Sequence, residues 1–342
     1  MNFVYSDAQR QHDPRHFLSS GAPQPNPEVP ERVTRLLAGA RAAGLTEAAP
    51  LDHGLGPIAA IHTPEYIRFL EKIYARWQRI PDASVEVIPN IHPNRRDFPY
   101  PASAVGQAGY HMADTACPIS DKTWTSAYWS AQTAVSAAEE VLNGARAVYG
   151  LARPPGHHAF ADMAGGFCFL NNSAIAAQHL RRAHERVAIL DVDLHHGNGT
   201  QGIFYERPDV LTVSIHADPG RFYPFFWGNA SERGEGPGLG YNLNLPLPRH
   251  SADAAFLEAL DAALDRIRAF APSALVVALG LDAFEGDPFG GLSVTTDGFT
   301  SIGERCASLG LPTAIIQEGG YVCDALADNL TAVLTGFDST RG

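Results

Sequence analysis

A single α/β domain with a mostly parallel central sheet flanked by helices is the fold class that this sequence predicts, and three observations carry that reading. Apolar runs of strand length alternate with segments of helical period along the chain, as expected when helices cover both faces of a parallel sheet. Four of those runs end in polar or glycine-rich tips, at His157/His158, Asp193/His195, Asp282 and Tyr321. Ligands of open α/β sheets bind at such carboxyl ends. No shift in composition divides the 342 residues, and an apolar content of 45% can fill one sizeable core.

Taken in order, residues 2–5 open the chain as a strand, and a polar loop with His12 and His16 follows. Val33, Leu36, Leu37 and Ala40 repeat at helical spacing, which predicts a helix over 30–43. A second helix spans 62–77, with Thr63 as its N-cap and Pro64 at its first position. Residues 80–122 mix Pro, His, Arg and aromatic side chains without a sustained period. They are too long for a plain connector and read as an insertion at a rim or an oligomer contact. A helix over 123–142 and a strand over 147–151 lead into RPPGHH at 153–158.

GGFCFLNN at 165–172 opens a helix over 173–182. The strand over 187–191 runs into DVDLHHGNGT, and a strand over 210–216 ends in another polar tip. Alternating glycines at 234–240 lack the helix that a dinucleotide-binding turn requires behind them. A helix over 252–270 precedes the strand 274–279, which ends in GLDAFEGDP. A helix over 297–309 precedes the strand 313–317, which ends in EGGY, and a helix near 323–334 closes the pattern.

A formal net charge of −12 leaves no basic stripe to neutralise phosphates, so nucleic acid and anionic membranes are not the expected partners. The four cysteines (Cys117, Cys168, Cys306, Cys323) are scattered without a C-x-x-C, which suits a reducing cytoplasm better than a disulfide framework or a thiolate zinc site. The N-terminus lacks a basic region followed by a long apolar run, so neither secretion nor membrane insertion is expected.

The chemistry sits at the tips. Asp191, Asp193 and His195 alternate, so in an extended segment they point to one side and could converge on a cation. Asp193, His195 and Asp282 would supply two carboxylates and one imidazole with coordination positions left open, a set that suits catalytic Zn²⁺ and also Fe²⁺ or Co²⁺. Pro-Pro-Gly before His157-His158 fixes where both rings point, and each ring needs a partner on its far nitrogen, for which Asp191 and Asn198 are candidates. Tyr321, behind two glycines, could donate its hydroxyl to a developing oxyanion.

Together, RPPGHH, GGFCFLNN, DVDLHHGNGT, GLDAFEGDP and EGGY resemble, in order, the histone deacetylase and acetylpolyamine amidohydrolase superfamily. The layout of the N-terminal half is similar to the bacterial acetylpolyamine amidohydrolases. The resemblance implies an arginase-deacetylase fold and a zinc-dependent deacetylase cleaving small N-acyl amides, with acetylated polyamines or diamines as the first expected substrates and acetyl-lysine in proteins as the alternative. Of another class, a catalytically silent metal- or acyl-ligand-binding protein would keep the fold without the reaction.

By match of motif, Asp193, His195 and Asp282 would hold the metal, and His158 would act as general base and then acid beside His157. Tyr321 would polarise the amide carbonyl. Gly166 would accept the substrate N–H, and Phe167 and Tyr223 would wall a narrow tunnel. A structural K⁺ or Na⁺ would fall on Asp191, Asp193, His195, Ser214 and Ile215. Gly197 and Phe284 stand where two-metal ureohydrolases carry further ligands, which favours one metal. Asn198 gives His158 an amide partner in place of a carboxylate. GLDAFEGDPFGG is closer to class II deacetylases, and at the tunnel mouth Phe17 and Val105 replace expected acids while Asp114 replaces a longer one. The 80–122 insertion is placed like the segment that dimerises polyamine deacetylases, so a homodimer or higher homo-oligomer is expected.

Overall fold

A computed structural model describes residues 1–339. In chain order the elements of the first half are β1 (Asn2–Val4), β2 (His16–Ser19), β3 (Ala22–Pro25), α1 (Glu31–Ala42), β4 (Thr46–Ala48), α2 (Gly56–Ala59), α3 (Pro64–Trp77), α4 (Ala104–His111), α5 (Thr123–Leu142) and β5 (Ala147–Gly150). The second half runs α6 (Asn172–Leu180), β6 (Val187–Asp191), α7 (Asn198–Phe204), β7 (Val210–Ala217), β8 (Asn242–Leu247), α8 (Asp253–Phe270), β9 (Ala274–Leu279), α9 (Thr296–Ala307), β10 (Thr313–Gln317) and α10 (Leu326–Ser339).

Eight strands form one sheet in the order β4-β1-β5-β10-β9-β6-β7-β8, and every pairing is parallel. β5, β6, β7, β9 and β10 are buried along their whole length, which is why they read as mainly apolar runs, although β7 also buries Thr212, Ser214 and His216. Successive residues of β9 point to opposite faces: Leu275, Val277 and Leu279 pack with α1, α8, α9 and α10, while Ala274 and Val276 pack with α3, α5 and α6. On the second face, α5 lies close because its buried positions are almost all Ala, Ser or Thr.

The four strands with polar tips, β5, β10, β9 and β6, are consecutive neighbours at the centre of the sheet. Parallel pairing puts their carboxyl ends on one edge, so residues far apart in sequence meet there.

Several elements go beyond the sequence reading. β2 and β3 form a separate antiparallel hairpin, β4 and β8 add the two edges, and the 80–122 insertion contains α4. β8, NLNLPL, starts just after the glycine-rich stretch and carries Pro246 at the sheet's edge, where a missing N–H is tolerated. No helix among the described residues is long and apolar enough to cross a membrane.

Candidate active site

Asp193, His195 and Asp282 are buried, with one ligating atom of each lying within 4.8 Å of the others. β6 ends at Asp191, so the next residues turn away from the sheet and aim Asp193 and His195 at the tip of β9, where Asp282 stands. His195 Nδ1 faces Asp282 Oδ2 at 3.1 Å and Asp193 Oδ1 at 3.4 Å. Backbone amides hold the outer oxygens: Gly319 donates to Asp193 at 2.7 Å and Leu194 to Asp282 at 3.0 Å.

Burial and the Asp193 carboxylate raise the pKa of Asp282. Burial opposes ionisation of Asp193 as well, but His157 and His195 hold it below the usual carboxylate range. Burial would lower His195, yet the two acids lift it to about 9. Two adjacent buried carboxylates call for positive charge between them, and the oxygen and imidazole donors suit a divalent ion. Gly319 is required here, because a Cβ would lie 2.4 Å from Asp282 Oδ2 and 2.5 Å from Asp193 Oδ2.

The tandem histidines have distinct partners. His157 Nδ1 lies 3.0 Å from Asp191 Oδ2, and His158 Nδ1 lies 2.7 Å from Asn198 Oδ1. Burial lowers both rings, but Asp193 and Asp191 overrule it at His157 and raise that ring to about 10. At His158 burial wins, reinforced by His157 and His195, and the ring stays neutral. An Nδ1–H donated to the Asn198 amide oxygen leaves the Nε2 lone pair of His158 free to take a proton. Gly197 serves this geometry directly, since a Cβ there would lie 2.3 Å from Asp191 Oδ2.

Aromatic rings surround this centre. His158 and Tyr223 meet edge to face at 4.9 Å, Phe222 stacks on His195 at 5.2 Å, and Phe289 packs on Tyr321 at 4.6 Å. Phe167 reaches Tyr321 at 6.0 Å and Phe17 at 5.5 Å, so the β2–β3 hairpin forms part of the rim. Asp114 is fully engaged: Tyr223 Oη donates to it at 2.7 Å, Gly166 N at 3.1 Å and Ala116 N at 2.8 Å. Its carboxylate braces the Tyr223 wall against the Gly166 turn. Val105 lies apart from these rings, on α4 against the second-face core.

Residues 26–337 match the histone deacetylase domain family. The chain is 50% identical over 338 residues to the acetylpolyamine amidohydrolase of Burkholderia pseudomallei, covering 98% of each chain. Acetylpolyamine amidohydrolase 1 of Pseudomonas aeruginosa is 46% identical over 340 residues, again covering 98% of both. A crystal structure of the Burkholderia pseudomallei acetylpolyamine aminohydrolase superposes with a TM-score of 0.97 at 49% identity, over 99% of each chain.

The chain belongs to the histone deacetylase family. It is therefore a metal-dependent hydrolase of amide bonds, and its histone deacetylase fold is the arginase-deacetylase arrangement expected from the motifs. In this family member the region expected for a monovalent cation borders a small cavity. Asp191 and Ser214 line it with Thr212, Gln201, Asn242 and Asn244. Asp191 and Ser214 are register partners across β6 and β7, and Ser214 Oγ lies 2.8 Å from His216 Nδ1.

Buried charges behind the deacetylase site escaped the sequence reading. Glu28 accepts from Arg32 at 2.6 Å and from Arg153 at 2.8 Å, and Arg32 also donates to the carbonyls of Gly320 and Glu318 at 2.6 Å each. Glu318 accepts from Gly156 N at 2.6 Å, His157 N at 3.0 Å and Ser173 Oγ at 2.6 Å, which couples the EGGY segment to the tandem-histidine turn. An acid followed by two glycines reads as an ordinary turn, and only the fold reveals these partners.

Proposed function

We propose that the protein is a zinc-dependent deacetylase of small N-acyl amines, with acetylated polyamines or diamines as its substrates. One observation carries the proposal: a buried Asp193–His195–Asp282 set shares a sheet edge with neutral His158 and with Tyr321. The names of the two amidohydrolase relatives support the substrate class. Zn²⁺ suits the donors, as do Fe²⁺ and Co²⁺, and the ion would supply Lewis acidity and a lowered pKa for water. A structural K⁺ or Na⁺ beside Asp191, Asp193, His195, Ser214 and Ile215 belongs to the same reading.

The chain's own groups divide the remaining work. The acyl amide lies between Phe167 and Tyr223, with its N–H donated to the Gly166 carbonyl. Tyr321 donates its hydroxyl to the substrate carbonyl oxygen as negative charge develops there. His158 Nε2 takes a proton from the attacking water and returns it to the departing amine nitrogen, so that amide and water become acetate and amine. His157, held by Asp191, keeps positive charge beside the acids.

Acetate release from acetylputrescine, acetylspermidine and an acetyl-lysine peptide tests the reading. We expect turnover of the two small amines, loss on chelation and recovery with added zinc; turnover of the peptide alone would overturn the substrate class, and turnover indifferent to chelation the chemistry. Homodimerisation through the 80–122 insertion belongs to the proposal and is supported by its exposed Val85, Ile91, Phe98 and Tyr100. A solution mass unchanged by deleting the tip of that insertion would remove it.

A further inference from the structure

We propose that Asp287 is a positioning residue that locks Tyr321 and Phe289 into one unit, setting where the tyrosine hydroxyl meets the substrate; this rests on the deacetylase reading above. Asp287 is 6% exposed although Glu285, Gly286 and Pro288 around it face solvent. One carboxylate oxygen accepts from Phe289 N at 2.9 Å, a local turn of the kind Asp often makes. The other accepts from Tyr321 N at 3.0 Å, across 34 residues, and no local turn preference accounts for that bond.

Tyr321 needs such an anchor, because β10 ends at Gln317 and α10 begins at Leu326, leaving its backbone outside regular ladders. Its neighbours are pinned from the other side: Gly319 N donates to Asp193 and the Gly320 carbonyl accepts from Arg32. Asp287 thus supplies the third fixed point, and it ties the tyrosine to the loop leaving Asp282. It also joins the two rings in contact at 4.6 Å. An acid is a poor choice for packing alone, since burial and the Asp282 charge both act against its ionised form. What it contributes is two acceptor oxygens aimed at two tunnel-wall amides.

Two measurements on the metal-loaded full chain test this. In kinetics, we expect Asp287→Asn, which keeps one acceptor oxygen, to lower kcat about tenfold and Asp287→Ala about 10²-fold, with KM changed less than threefold, as for a misplaced reacting group. In a Tyr321→Phe background the same changes should lower kcat further by less than about threefold, because the hydroxyl they position is gone. Losses that multiply in full would overturn the proposal. Independently of activity, hydrogen exchange should show the Tyr321 amide deprotected in Asp287→Ala, and unchanged protection would overturn it too. If the wild type hydrolyses no amide, the functional reading fails while the exchange result still decides the role of Asp287.

Discussion

At the scale of single residues, function divides between two histidines of one turn through the atoms each ring faces. Asp193 and Asp191 keep His157 charged against its burial, whereas His158, facing only the Asn198 amide, is kept neutral by burial and by the neighbouring His157 and His195. Asn198→Ala should lower kcat about 10- to 10²-fold, the usual cost of removing a partner that orients a histidine. Tyr321→Phe should lower kcat about 10²- to 10³-fold while bound metal and melting temperature stay near wild type, the magnitude for one lost oxyanion donor. Steady-state kinetics with metal analysis checks both. The motif residues were legible because four strands deliver them in a recognisable order. Asp287 and Glu318 were not, since an acid in a glycine- or proline-flanked turn looks the same with a long-range partner or without one.

Among the elements, legibility followed burial. The strands 187–191, 274–279 and 313–317 and the helix 123–142 match the sequence reading to the residue, because sustained apolar or helical patterning marks buried elements. The β2–β3 hairpin and the edge strands were missed, since exposed, polar or proline-containing strands show no alternation. α4 lay hidden in the insertion although Ser103 caps it, accepting from Gly106 N at 3.0 Å. Thr63, read as the cap of α3, accepts from Tyr66 N at 3.3 Å. Thr63→Ala should therefore destabilise the protein by about 1 kcal/mol in urea denaturation, with catalytic constants unchanged.

For the molecule as a whole, acid sensitivity follows from its buried histidines. Burial pushes His12 down to about 3 and His62 down to about 4. At His62 the neutral ring is doubly used: Nε2 accepts from Asn171 N at 2.9 Å, and Nδ1 lies 3.2 Å from the Ala161 carbonyl. Unfolded, each ring titrates near about 6.5. Below that pH the unfolded chain binds protons that the folded chain refuses, so stability falls as pH drops, by roughly 1 kcal/mol per histidine per unit, until each folded pKa is reached. Urea midpoints at descending pH should show this slope, and His62→Gln should flatten its share; an identical slope in the variant would refute the assignment.

The strand order carries one more consequence, for synthesis. β10 lies between β5 and β9, so the strip β4-β1-β5 and the strip β9-β6-β7-β8 stay unjoined until β10 leaves the ribosome. The histidine turn emerges on one strip and the two acid-bearing tips, those of β6 and β9, on the other, and Tyr321 arrives with the strand that fuses them. A nascent chain stalled before residue 313 would thus hold most of its chemical groups and no enzyme, which couples the onset of activity to the emergence of a single five-residue strand.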